Sequence, residues 1–126
     1  MVLDASALLA FVKQEPGAAA VERFLGEGYV SAVNASEFVQ KVDQYGGDGA
    51  KALATLEALG VTLEPAGKAA ALLAASIYET THQYGLSIAD RFCLALASHL
   101  GSPVCSADKS WLEPDKALGV ELVLIR

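Results

Sequence analysis

Apolar runs along the chain alternate in length, short then long, and glycine, proline or acidic residues stand at most of the breaks. Short runs suit buried strands, whereas longer ones with apolar positions recurring every three or four residues suit helices. Residues 2–4 (VLD) are expected as a strand, followed by a helix from Ser6 that ends before Pro16-Gly17. A second helix is expected over 18–25, with Val21, Phe24 and Leu25 on one face and Gly26 and Gly28 closing it. Residues 29–32 read as a strand, and Asn34 as the cap of a helix that runs to about residue 45 and stops at Gly46-Gly47. Further helices are expected over 50–59, from Gly67 through about residue 82, and over 88–100 behind a Ser87 cap. Strands are expected at 61–63, 103–106 and 120–125, with a single helical turn at 109–112.

Strands interleaved with helices, with no hairpin signal, point to an α/β fold: one domain over residues 1–126, a mainly parallel central sheet flanked by helices. The 126 residues suffice for one real core, removing roughly two-thirds of the unfolded chain's surface from water. The 53% hydrophobic fraction is rich in Ala and Leu rather than aromatics, which favours helices on a sheet over a β-sandwich. The apolar start, MVLDASALLAFV, is broken by Asp4 and lacks the basic beginning and cleavage pattern of a signal peptide, so a cytoplasmic protein is expected. Cys93 and Cys105 fall inside apolar runs without metal-ligand spacing and read as buried, reduced thiols.

Four acids sit where apolar runs give way to turns or helix starts: Asp4 in VLDASA, Glu37 in NASEF, Asp90 in LSIADRF and Asp108 in PVCSADKSW. A carboxylate at the end of a buried strand is costly to desolvate unless paired, hydrogen-bonded or bound to a cation. In parallel sheets, ligands gather at the carboxyl ends of strands, and all four acids can face that edge. Each has a purely structural reading too. Asn34–Glu37 and Ser87–Asp90 have capping-box spacing, and Asp108 can cap the turn that follows it. Asp4 resists such a reading because both flanks look buried. Ser6 and Ser106 stand two residues from Asp4 and Asp108, where hydroxyls would orient carboxylates. A net charge of −6 argues against a surface that grips nucleic acid unaided, but two divalent cations held by these acids would offset most of it. Lys13, Lys41, Arg91 and Lys109 could fringe the same edge and contact a phosphate backbone. His82 and His99 read as ordinary residues near helix ends. Trp111, Phe92 and Phe38 read as packing residues.

The blocks VLDASALLAFVKQEPG, SAVNASEF, GLSIADRFCLALA and PVCSADKSW resemble the signature blocks of the PIN-domain family, especially its small VapC-type toxins, over nearly the whole chain. Ser106 stands where that family more often has Thr, a departure that keeps the hydroxyl. The resemblance implies that Asp4, Glu37, Asp90 and Asp108 form a metal-binding acidic quartet supported by Ser6 and Ser106. It further implies Mg²⁺- or Mn²⁺-dependent endoribonuclease activity, a homodimer and silencing by an antitoxin protein. The residue types agree, since hard oxygen donors suit Mg²⁺ or Mn²⁺ and no Cys/His cluster suits zinc. No G-x-S-x-G or Cys/His pair supports a side-chain nucleophile. Two other classes are compatible with the chain: a catalytically silent binding module of the same fold, and a phospho-acceptor signalling domain. The second would want paired acids after the first strand, and Asp4 has no acidic neighbour until Glu15.

Overall fold

The computed structural model describes all residues, 1–126. Five short strands, β1 (Val2–Leu3), β2 (Tyr29–Ser31), β3 (Thr62–Glu64), β4 (Val104–Ser106) and β5 (Leu122–Leu124), form one sheet in the order β3-β2-β1-β4-β5. Every neighbouring pair is parallel, with Val2 opposite both Tyr29 and Val104. Parallel neighbours need crossover connections, which eight helices supply: α1 (Ala5–Val12), α2 (Ala18–Glu22), α3 (Ala32–Gln44), α4 (Gly49–Ala58), α5 (Lys68–Ser76), α6 (Tyr78–Thr81), α7 (Ile88–Leu100) and α8 (Leu112–Leu118). No helix is long and apolar enough to cross a membrane.

The pleat divides the core. Leu3 points into one cluster with Leu8, Val30, Phe38 and Leu56, built from α1 to α4; Val2 points into another with Leu94, Val104 and Trp111, built from α5, α7 and the C-terminal segment. Both faces of the sheet are thus covered, as a parallel sheet requires. The chain lays its strands outward from β1 to β3, then returns to place β4 and β5 on the other side. The order therefore reverses between β1 and β4, and the crevice at their carboxyl ends is where such sheets hold ligands. The C-terminus closes back on the first face: Gly17, at φ +98°, brings its backbone so near Ile125 that a Cβ there would lie 2.6 Å from the Ile125 carbonyl oxygen. Glycine is therefore required twice over, by the left-handed backbone and by the close approach.

Four local expectations are corrected. Ser31, not Asn34, caps α3: its Oγ accepts from Val33 N at 3.2 Å, and Asn34 lies inside the helix. The Asn34–Glu37 capping box therefore does not form, whereas the Ser87–Asp90 box does. The expected helix through residue 82 is broken at Ile77 into α5, α6 and a 3₁₀ turn, His82–Tyr84. Ile77, Thr80 and Thr81 are β-branched, and Ser76 and Thr81 turn their hydroxyls onto the Leu73 and Ile77 carbonyls, in competition with a regular ladder. At the break Ile77 is buried, while Leu72 within α5 is exposed. The second helix stops at Glu22, and a 3₁₀ turn at Leu25–Glu27 follows. Finally, the single turn expected at 109–112 continues as α8, because Pro114 falls in the first turn, where no backbone donor is needed.

Candidate metal centre

Asp4 follows β1 directly and is 5% exposed, between Leu3 and Ala5, which are buried as well. Its Oδ2 accepts from Ser6 Oγ at 2.5 Å and from Ser106 Oγ at 2.9 Å. The same hydroxyls accept in turn: Ser6 Oγ from Ala107 N at 3.0 Å, Ser106 Oγ from Asp108 N at 3.0 Å. This lattice fastens the turn after β4 to the start of α1, across the point where the strand order reverses. Burial pushes the Asp4 carboxyl up from 3.8 to about 6; the two serine bonds oppose the shift, and the nearby charges of Asp90 and Glu37 add to it.

The other three acids come from α3, from the first turn of α7 and from the turn after β4. Asp90 closes the capping box of α7, with its Oδ2 accepting from Ser87 N at 2.9 Å and its own N donating to Ser87 Oγ at 3.1 Å. Its carboxyl is raised, first by desolvation against the Ser87 bonds, then by Glu37 and Asp108. Asp108 caps the 3₁₀ turn Lys109–Trp111: its Oδ1 accepts from Ser110 N at 2.9 Å and Ser110 Oγ at 2.7 Å. Glu37, in the second turn of α3, pairs through Oε1 with Lys41 at 3.0 Å. The structural readings of Asp90 and Asp108 are thus real. They are also incomplete, because each of the four carboxylates commits one oxygen to the protein and keeps the other free of any protein partner.

No three of these groups are close enough, as placed, to grip a single ion. Their mutual influence is nonetheless evident, since Asp4 is raised by Asp90 and Glu37, and Asp90 by Glu37 and Asp108. Such a set of hard oxygens, one of them buried and half-satisfied, fits Mg²⁺ or Mn²⁺ better than any softer ion. None of the four lines a cavity; the largest, about 660 Å³, lies between α3 and α4 against Val39 and Leu53.

The basic residues differ in their attachments. Lys41 is tied to Glu37, and Glu37 in turn holds its ammonium above the usual lysine range. Lys13 pairs with Glu15 at 3.4 Å and sits 3.9 Å over the Tyr45 ring; Arg91 lies 5.3 Å from the Tyr78 ring; Lys109 has no ion pair. Both cysteines are buried free thiols, as the apolar runs predict. Trp111 and Phe38 are fully buried. Two polar residues stand out that spacing alone does not single out for a site. Asn34 is buried inside α3, donating to Ala89 O of α7 at 3.0 Å, and Asp115 is buried in α8 with neither oxygen hydrogen-bonded.

Comparison with known proteins agrees with this architecture. The structure superposes on a chain of a toxin-antitoxin complex from Klebsiella pneumoniae with a TM-score of 0.76 at 14% identity, covering 99% of this chain and 97% of that one. It matches FitAcB from Neisseria gonorrhoeae at 0.70 and 18% identity, over 98% and 96% of the two chains. It matches VapBC2 from Rickettsia felis, bound to a promoter DNA fragment, at 0.69 and 11% identity, again over 98% and 96%. No curated protein sequence matches significantly. The profile of the PIN domain family matches residues 1–117, most of the chain, and the chain belongs to the PIN domain family.

Proposed function

We propose that this chain is a metal-dependent endoribonuclease, the toxin of a toxin–antitoxin pair, which takes Mg²⁺ or Mn²⁺ among Asp4, Glu37, Asp90 and Asp108. The observation that supports this most is the division of labour within each carboxylate: one oxygen is fixed by the fold, the other is free. One or two such ions, when bound, lower the pKa of a coordinated water and stabilise the oxygen leaving a phosphodiester. Ser6 and Ser106 hold the Asp4 carboxylate in one orientation, and the capping interactions do the same for Asp90 and Asp108. No side-chain nucleophile is needed. Lys13, Lys41, Arg91 and Lys109 are the cations available to phosphates flanking the scissile bond. The partners that fit are RNA as substrate, an antitoxin protein such as those complexed in the structural neighbours, and a second copy of the chain. Exposed Leu72, Tyr78 and Ile88 are apolar surface available for association.

The alternative, a catalytically silent module that binds a partner through the same fold, has one observation in its favour: no three acids close on a single point. Both readings meet in one assay. Purified protein incubated with RNA in chelator, Mg²⁺ or Mn²⁺ should cleave only with metal, and Asp4→Asn should abolish cleavage while remaining folded. Cleavage that persists in chelator or in Asp4→Asn would point to a contaminant; no cleavage under any condition would favour the silent module.

A further inference from the structure

Asn34 occupies a position that helix stability does not explain. Asparagine is a poor residue for a helix interior, and Ser31 already caps α3. Its side chain is fully buried, with Nδ2 donating to Ala89 O at 3.0 Å and Oδ1 left without a partner. An acceptor buried unpaired is unfavourable, and an apolar side chain of similar volume would avoid it. Nor does α7 need the bond, since a carbonyl in its first turn is already served by the helix's own ladder. What the bond does is geometric. Asn34 lies one helical turn before Glu37, and Ala89 immediately precedes Asp90, so a single contact joins the turn that carries one acid to the turn that carries the other. The Ser87 box holds Asp90 within its own helix and says nothing of its distance from α3.

We propose that Asn34 is a positioning residue that sets the separation of Glu37 and Asp90 across the centre, at the cost of one unsatisfied acceptor. This rests on the reading that the two acids share a cation. The test is calorimetric titration of the wild-type chain and of Asn34→Leu with Mn²⁺ alone, beside thermal melts in chelator. Asn34→Leu should melt at or above the wild-type temperature yet bind Mn²⁺ roughly ten- to a hundredfold more weakly, as outer-shell changes do. Equal affinity in the two proteins, with the wild type binding normally, would overturn the positioning role alone. Absence of Mn²⁺ binding by the wild type would overturn the metal centre and this role with it. Should the leucine variant fail to fold, Asn34→Ala takes its place: an affinity loss of the same size in the folded fraction supports the role, and unchanged affinity refutes it.

Discussion

Asp115 offers a sharp test of how the C-terminal segment is held. It lies in α8 at 1% exposure, neither carboxylate oxygen has a donor, and one turn earlier the Trp111 Nε1–H is also buried unpaired. Burial alone pushes its carboxyl up from 3.8 to about 7. The folded chain therefore keeps a proton that the unfolded chain gives up. The stability this confers is complete below about pH 4 and is lost progressively as pH rises through about 7. At about 1.4 kcal/mol per pH unit the whole effect is roughly 4 kcal/mol, and roughly 3 kcal/mol of it falls between about pH 5 and about pH 8. Asp115→Asn preserves the shape and removes the ionisation. Its stability relative to wild type should rise by roughly 3 kcal/mol over that interval, a gain of about 10 °C in Tm at the alkaline end. Urea unfolding in chelator, followed by the fluorescence of Trp111, the chain's one tryptophan, reads this directly. Asp4 titrates in the same region, but in both proteins, and cancels in the difference. Parallel stability profiles for the two proteins from about pH 5 to about pH 8 would refute the buried, unpaired carboxylate.

Lys41→Gln should tighten Mn²⁺ binding roughly three- to tenfold, because it removes a cation held 3.0 Å from Glu37; calorimetry showing unchanged or weaker binding would count against Glu37 as a ligand. The same variant should lose only about 0.3–0.5 kcal/mol of stability in chelator, as exposed helical ion pairs do. Cys93 and Cys105 should not react with a thiol reagent until the protein is unfolded, since burial raises the first thiol well above its ordinary range and the second to about 12. A folded Cys93→Ala, Cys105→Ala double variant should cleave RNA as the wild type does, and loss of cleavage would give one of them a role in the site.

The sheet and the candidate acids could be read for a common reason: each strand is a short apolar run, and an acid stands just past the ends of β1 and β4, Asp4 between buried neighbours and Asp108 exposed. Asp4 was the clearest, because no capping role competes for it. Asn34 was misread because the amide that could cap a helix start can equally tie two helices together, and only tertiary packing shows that Ser31, three residues earlier, does the capping. Asp115 was invisible for the opposite reason. The segment LEPDK looks solvated, and nothing local reveals that α8 turns its one aspartate into the interior. The break at Ile77 depends on hydroxyls choosing backbone carbonyls within a run that otherwise favours helix. Local composition therefore recovered the strands and the ends where the acids stand, while side chains that bridge elements distant in sequence did not announce themselves.

The metal centre is tested most directly by anomalous diffraction at the manganese edge from crystals soaked in Mn²⁺. An ion in contact with Asp4 and at least one of Glu37, Asp90 and Asp108, lost in crystals of Asp4→Asn, is the expected result. Crystals saturated with Mn²⁺ that show no peak at the carboxyl end of β1 and β4, or a peak that survives in Asp4→Asn, would contradict it.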